Sequence, residues 1–317
     1  MAHLIPSPAR DRPVRGITLK LLSVVAFVGM ASFIKAAGEV PAGEIVFFRS
    51  FFAIPPVLAM MIWRKELGVA LSTNRPLGHL LRGTVGVTSM TIGFFALTRL
   101  PLPEAITLGY AQPLIVVVLS ALVLRETVRI YRWTAVIVGL IGVIIISLPR
   151  FTLFSGASEM SSQETLGVIA ALTAAAIGAC ALLLTRNLVT TERTPTIVLW
   201  FCLTCSAWGL MTIPFGWVMP TPSQATFLIL AGIFGGLGQI LVTESYRHAE
   251  ASTVAPFEYS SMILGVLVGY FAFGDVPTIH MLVGGSIVVG AGIFIIWREH
   301  RLGVAQAAAR KITPTQS

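Results

Sequence analysis

Charge is what this sequence most clearly lacks. Only 11% of its 317 residues are Asp, Glu, Lys or Arg, whereas 55% are hydrophobic. A soluble domain carries about 25% charged residues, and a chain this apolar has too few polar groups to cover a surface that faces water. The composition therefore excludes an ordinary soluble domain and predicts an integral membrane protein.

Groups that carry enzyme chemistry are also scarce. The five histidines stand singly at His3, His79, His248, His280 and His300. A membrane-embedded enzyme would need His, Asp or Glu side chains in a cluster, and the Gly-x4-Gly-Lys pattern of ATP-binding loops is absent. The sequence thus predicts no catalytic residues, no metal and no cofactor. Energy for any activity would come from a gradient, a partner or the concentration of a substrate.

Cysteine and net charge indicate neither a redox site nor a nucleic-acid partner. Cys202 and Cys205 form a CxxC within an apolar run, but the chain has no second pair and no nearby histidine. Packing of small residues is the simpler interpretation. The formal charge is +8, yet the basic residues lie between apolar runs, where they determine membrane topology.

What the chain has in abundance is long apolar runs. A spanning helix needs about 20 predominantly apolar residues, and the sequence contains ten such segments. They are Ile17–Ala36, Glu44–Trp63, Gly83–Leu100, Glu104–Leu124, Ile130–Leu148, Leu166–Thr185, Thr196–Val218, Ala225–Tyr246, Ser252–Phe273 and Ile279–Trp297. The first is longer than the apolar core of a signal peptide, so we interpret it as an uncleaved helix.

The distribution of Lys and Arg predicts the orientation. With a cytoplasmic N-terminus, 18 of the 22 basic residues fall on the inner side. Lys35, Arg99 and Arg150 fall outside, and Arg49 lies within a span. Basic residues concentrate in cytoplasmic loops, so ten spans with both termini cytoplasmic is the predicted topology.

The two halves of the chain resemble each other. Tyr110 and Tyr259 are 149 positions apart, as are Glu126 and Asp275, each of which follows a long apolar run. Five helices per half is an odd number, so the two copies would insert in opposite orientations, which is typical of transporters. The predicted organisation is an N-terminal tail at 1–16, repeats at 17–148 and 166–297 joined by a loop at 149–165, and a C-terminal tail at 298–317. Chance similarity between apolar runs is the alternative.

Several short stretches resemble the drug/metabolite transporter superfamily, specifically its EamA-type ten-helix members. They are Phe33–Lys35, Pro41, Glu44–Arg49, Tyr110–Leu114, Arg125–Thr127, Ala255–Tyr259 and Phe273–Pro277. The runs Glu44–Arg49 and Ala255–Tyr259 look most like the branch that contains riboflavin importers and S-adenosylmethionine uptake proteins. The family usually has Glu where this chain has Asp275, which keeps the charge.

This resemblance implies an all-α membrane protein made of two inverted five-helix bundles around a central cavity. Alternating access would come from rocking one half against the other. The implied location is a bacterial inner membrane, and the implied partners are the lipid bilayer and a small-molecule substrate, a flavin or a similar metabolite. A monomer is expected, with a homodimer as the alternative.

Two ionisable residues within the spans are candidates for substrate binding. A charge at the centre of a bilayer costs about 2.5–3.5 kcal/mol on insertion scales, so its presence suggests a function. Arg49 could contact substrate, reach the outer surface, or pair with Glu39 or Glu44. Glu258 follows Pro256, which loosens a helix locally. It could couple to protons, accept a substrate hydrogen bond or pair with Arg49.

Four polar residues complete the predicted substrate-binding set. Tyr110 and Tyr259 occupy matched positions in the two halves and could stack on a planar ring. Gln112 precedes Pro113 at an expected kink, and Gln239 lies on a polar stripe of the eighth apolar segment. For each of them, helix packing is the competing interpretation.

The predicted function is a secondary transporter for a small organic metabolite. Riboflavin uptake is the first specific hypothesis, because the branch resemblance and the matched tyrosines both favour it. The alternatives are S-adenosylmethionine uptake and the export of amino acids or other metabolites.

Overall fold

The computed structural model describes residues 13–122, 130–148, 159–189, 191–248 and 255–312, and in these ranges the regular elements are all helical. The described part of the chain contains twelve α-helices: α1 Pro13–Ala36, α2 Ala42–Phe51, α3 Ile54–Trp63, α4 Pro76–Arg99, α5 Leu102–Gly109, α6 Ala111–Leu122, α7 Ile130–Ser147, α8 Glu159–Val189, α9 Thr194–Met211, α10 Pro222–His248, α11 Ser260–Phe273 and α12 Ile279–Ile312. Short 3₁₀ helices cover Leu67–Val69, Ile213–Phe215 and Ala255–Tyr259.

Within the described ranges, eight helical stretches are long and apolar enough to cross a membrane. Two of them, Ala42–Trp63 and Leu102–Leu119, each combine two of the α-helices. Two further apolar helices, Pro195–Met211 and Phe257–Phe273, are shorter. The chain is therefore a multi-pass membrane protein, and each of the ten predicted apolar segments contains a helix.

Proline explains both interruptions within the spans. Pro55 and Pro56 lack the N–H groups that would bond to the carbonyls four residues earlier, and the backbone breaks between Phe51 and Ile54. Pro113 has the same effect on the carbonyl of Gly109. Helix α5 ends at that residue, so the kink expected near Gln112 lies slightly earlier, at Tyr110.

Helices from the two halves of the sequence pack against each other. The most extensive contacts join α1 to α10, α4 to α8, α7 to α12 and α2 to α9. The outer faces carry exposed apolar side chains such as Ile137, Ile141 and Ile144 of α7. Residues at this spacing share one helix face, and a bilayer is the environment that suits such a face.

Several helix limits differ from the predicted ones. Helix α4 begins at Pro76 rather than Gly83, and α8 begins at Glu159, within the predicted connecting loop. Helix α12 continues to Ile312, through residues predicted to form the tail. Polar residues continue a helix readily beyond the hydrocarbon region, so an apolar run marks the membrane segment and not the end of the helix. Glu126 lies outside the described residues.

Candidate functional site

A cavity of about 690 Å³ lies between helices from both halves of the chain. Its walls come from α1, the α5–α6 junction, α8, the segment 255–261 and α12. The lining residues are Val24, Phe27, Val28, Ala31, Ile106, Gly109, Tyr110, Gln112, Pro113, Leu114, Val117, Leu182, Glu258, Tyr259, Ser261, Gly292, Ile295 and Ile296. Mostly apolar walls with a few convergent polar groups are typical of a small-molecule site.

The two matched tyrosines meet in this cavity. Their rings pack edge to face, with centroids 5.1 Å apart and planes at 72°. Tyr110 occupies the break between α5 and α6, and Tyr259 ends the 3₁₀ helix that precedes α11. The Tyr110 hydroxyl lies 2.5 Å from Oγ of Ser261. The irregular backbone at both positions thus places an aromatic pair at the wall of the cavity.

Glu258 also lines the cavity, and its ion-pair partner is Lys20. The side chain of Lys20 is 1% exposed and that of Glu258 is 49% exposed. The ammonium is therefore buried behind a carboxylate that stays accessible. The pairing of Glu258 with Arg49, one alternative from the sequence, does not occur in this structure.

Gln112 is the fourth predicted residue in the cavity wall. It packs closely on α8, because a Cβ atom added to Gly178 would lie 2.9 Å from the Gln112 Oε1 atom. Glycine at position 178 thus gives the amide room to sit between the two helices.

Arg49 and Gln239 lie away from this cavity. Arg49 is buried on α2 next to Gly235 of α10, where an added Cβ atom would lie 3.3 Å from the Arg49 Nε atom. That Nε has no hydrogen-bond partner among the described residues. Gln239 borders a crevice of about 10 Å³ beside Val57 and Pro195, which is too small for a metabolite.

A second ion pair lies near the other end of α1. Lys35 Nζ is 2.8 Å from Asp275 Oδ2 and 3.0 Å from the carbonyl oxygen of Leu100. The backbone N–H of Leu102 donates to the same Asp275 oxygen at 2.9 Å. Asp275 therefore joins the end of α1, the start of α5 and the end of α11.

Lys20 is the residue that sequence reasoning missed. The distribution of Lys and Arg predicts a cytoplasmic position for Lys20, but its side chain is buried in the structure. One signal was available, since Lys20, Val24 and Phe27 have the i, i+4, i+7 spacing of a single helix face. The sequence alone did not show that this face borders a cavity. Cys202 and Cys205 are buried, as expected of packing residues.

Similarity to a solved structure supports the arrangement of helices. One crystal structure superposes with a TM-score of 0.63 over 90% of this chain and 98% of its own, at 19% sequence identity. At that identity the similarity concerns the fold alone.

Curated relatives extend over nearly the whole chain. An S-adenosylmethionine uptake transporter of Rickettsia bellii is 25% identical over 287 residues, which cover 90% of this chain and 94% of the relative. The pseudopaline exporter CntI of Pseudomonas aeruginosa is 32% identical over 284 residues, covering 88% and 94%. A riboflavin transporter of Vibrio cholerae is 28% identical over 293 residues, covering 90% and 94%.

The family match confirms the resemblance inferred from the short motifs. The model of the EamA-like transporter family matches residues 14–148 and again residues 165–298. These two stretches make up most of the chain, and the three relatives above are named as transporters or exporters rather than enzymes. This protein therefore belongs to the EamA-like transporter family.

Proposed function

We propose that this protein is a secondary transporter that moves a small organic metabolite across a bacterial inner membrane by alternating access. The observation that carries the proposal is the cavity of about 690 Å³. It brings together four of the six residues that the sequence predicts to bind substrate, and they come from both halves of the chain. They are Tyr110, Gln112, Glu258 and Tyr259.

The pattern of helix contacts supports ten spans arranged as two inverted repeats. In this arrangement α1 corresponds to α8, and α4 corresponds to α10. The pseudo-symmetry then converts the α1–α10 contact into the α8–α4 contact, and these are the two most extensive ones. The α2–α9 and α7–α12 contacts map onto themselves. Two copies related by a pseudo-twofold axis produce such a pattern, and in transporters the substrate lies near that axis.

The proposed boundaries follow the sequence. Residues 17–148 and 166–297 form the two repeats, 149–165 connects them, and the tails at 1–16 and 298–317 lie in the cytoplasm. Both repeats are part of the same cavity wall, so a monomer is sufficient to form the site.

The position of the cavity along α1 supports a specific step of the transport cycle. The lining residues of α1 run from Val24 to Ala31, whereas the Lys35–Asp275 contact lies beyond them. With a cytoplasmic N-terminus, the cavity lies on the inner side of the Lys35–Asp275 contact, and that contact closes the outer end. Alternating access then requires a second state in which the segments joined by Asp275 separate.

Two substrates follow from different features of the site. Riboflavin remains the specific proposal from the sequence, because Tyr110 and Tyr259 offer flat apolar surfaces beside Gln112. S-adenosylmethionine is the second candidate, since an accessible carboxylate at Glu258 suits a cationic group. Relatives named for each compound match the chain. A relative named as an exporter also matches, so the direction of transport has to be measured.

Uptake of both labelled compounds tests this proposal. The protein is expressed in bacterial cells that cannot make riboflavin, and uptake is compared with that of cells without it. Tyr110→Ala should lower saturable uptake by about tenfold, the effect of losing roughly 1.4 kcal/mol of binding. Gln239→Ala, outside the cavity, should transport like the wild type. Inside-out vesicles from the same cells detect export.

Two results would contradict the proposal. If Gln239→Ala abolished transport and Tyr110→Ala did not, the cavity would not be the substrate pathway. If neither compound moved in either direction with the protein present in the membrane, both named substrates would be withdrawn.

A further inference from the structure

Lys20 has a position that helix packing does not require. It lies within the first apolar run, is 1% exposed, and forms its ion pair across the molecule with Glu258. Removing two charges from water is costly, and replacing a buried ion pair with apolar residues is often neutral or stabilising. The pair therefore adds little to the stability of the helix packing. A role in the cavity that Glu258 lines is the alternative.

The two partners differ in their access to that cavity. Glu258 is 49% exposed and belongs to the cavity wall, whereas Lys20 does not. A ligand that enters the cavity therefore meets the carboxylate before the ammonium. A cationic ligand group would find its counter-charge directly, and an anionic group would first have to pass the carboxylate.

The rings beside Glu258 favour a cationic group as well. Tyr110 and Tyr259 line the same cavity and pack edge to face. The face of an aromatic ring attracts a cation within about 6 Å of its centroid, and such faces are used to recognise organic ammonium groups. Among the described residues of the cavity wall, Glu258 is the single charged one.

We propose that Lys20 takes the place of a cationic substrate group when the cavity is empty. An ammonium or sulfonium group of the substrate then displaces the Lys20 ammonium from Glu258 and packs against the two tyrosine rings. Lys20 acts as an internal competitor. It neutralises the Glu258 carboxylate when no substrate is bound, and it lowers the affinity of the cavity for a cationic substrate. This inference rests on the proposed function and selects the cationic class from its two candidate substrates.

The molecule contains an ion pair that serves as a matched control. Arg64, which follows α3, pairs with Glu244 of α10, and neither side chain lines the cavity. Arg64→Met removes a basic residue from an interhelical ion pair, as Lys20→Met does. A general effect of breaking such a pair should therefore appear in both variants.

The test measures ligand binding to the purified full-length protein in detergent. The cationic probes are S-adenosylmethionine and benzyltrimethylammonium, and riboflavin is the neutral probe. Lys20→Met should bind the cations about tenfold more tightly, because no internal ammonium competes with them for Glu258. Glu258→Gln should weaken cation binding at least tenfold. Riboflavin affinity should change by a smaller factor than cation affinity in both variants, and Arg64→Met should resemble the wild type for every probe.

Glu258→Gln leaves a buried ammonium without its carboxylate, which can prevent folding. The double variant Lys20→Met/Glu258→Gln removes both charges and serves in its place. It should fold, and its preference for cations over riboflavin should be smaller than that of Lys20→Met, because only the tyrosine rings still attract a cation.

Three outcomes would overturn the inference. They are weaker cation binding in Lys20→Met, equal changes for cationic and neutral probes, and no cation binding by either the wild type or Lys20→Met. Transport without cation selectivity would refute this inference and leave the proposed function intact. Selective cation binding by a protein that transports nothing would refute the proposed function instead.

Discussion

Gly292 of α12 offers a sharp test of where Tyr259 lies. A Cβ atom added at Gly292 would lie 1.7 Å from the Tyr259 hydroxyl oxygen and 2.4 Å from its Cζ atom. Ordinary van der Waals contact begins at 3.4 Å, so the hydroxyl would have to move by about 1.7 Å in Gly292→Ala. At Gly290, two residues earlier on the same helix, an added Cβ meets nothing within 4 Å. Gly290→Ala is therefore the matched control.

The magnitude follows from the contacts that Tyr259 would lose. Displacing its ring from Tyr110 forfeits about 0.5–1.5 kcal/mol of aromatic pairing, and an off-rotamer side chain costs about 0.5–1.5 kcal/mol. The exchange of glycine for alanine within a helix returns about 1 kcal/mol. The free energy of unfolding should thus fall by only about 0–2 kcal/mol. Substrate binding should weaken by about two- to twelvefold, because the displaced Tyr259 ring would lose an aromatic contact of about 0.5–1.5 kcal/mol with the substrate.

The assay combines transport into proteoliposomes at low substrate concentration with thermal unfolding in detergent. Gly292→Ala should transport less than Gly290→Ala while it unfolds at a similar temperature. In a Tyr259→Ala background the Gly292→Ala change should have no further effect on transport, since the effects of contacting residues are non-additive. Equal transport by the two glycine variants in the wild-type background would refute the placement of Tyr259 against α12.

Three other changes test separate parts of the structure. Gly109 lines the cavity, and an added Cβ there meets nothing within 4 Å. Gly109→Leu should therefore lower the rate of uptake about tenfold or more without loss of thermal stability. Unchanged uptake would mean that substrate does not use this cavity. Asp275→Asn removes the charge that Lys35 contacts and should lower the free energy of unfolding by about 1–3 kcal/mol in denaturation experiments. If the variant were as stable as the wild type, the contact would not be formed. Gly284→Ala places a Cβ 2.5 Å from the backbone oxygen of Gly142. Helices α7 and α12 should then move apart, and the free energy of unfolding should fall by about 1–3 kcal/mol. An unchanged unfolding temperature would contradict this close helix contact.

The apolar segments could be located from sequence because of a strong physical constraint. Lipid offers no hydrogen-bond partners, so a backbone that crosses it must satisfy its own polar groups within a helix. Length and hydropathy therefore identified ten segments, and each contains a helix in the structure. The short motifs identified the family, and the family match confirmed it.

The candidate site was only partly predictable, and Arg49 shows why. The sequence placed it at a definite depth within a helix, but it did not show which way the side chain points. In a soluble helix the apolar stripe marks the buried face. In a membrane helix the surface that meets lipid is as apolar as the surface that meets other helices. Arg49 and Gln239 were therefore plausible cavity residues, and the structure places both elsewhere.

The sequence could indicate Tyr110, Gln112, Glu258 and Tyr259 as candidates because prolines and matched positions in the two halves left a signal. The breaks at Pro113 and Pro256 indicated irregular backbone, and irregular backbone within a membrane is tolerated where it lines a cavity. Lys20 carried no such signal. A charge near the start of an apolar run reads as a topology determinant, whether it faces water or a partner.

The sequence by itself determined that this chain is a helical membrane transporter, where its apolar segments lie and which family it belongs to. These properties depend on local composition and spacing, and the amino-acid sequence contains both directly. Only the tertiary structure decided that Lys20 pairs with Glu258, that Lys35 pairs with Asp275, and that the tyrosines share one cavity. Those contacts join residues more than 140 positions apart, and they depend on how each helix is rotated about its axis. Where both surroundings of a helix are apolar, that rotation leaves no pattern in the sequence.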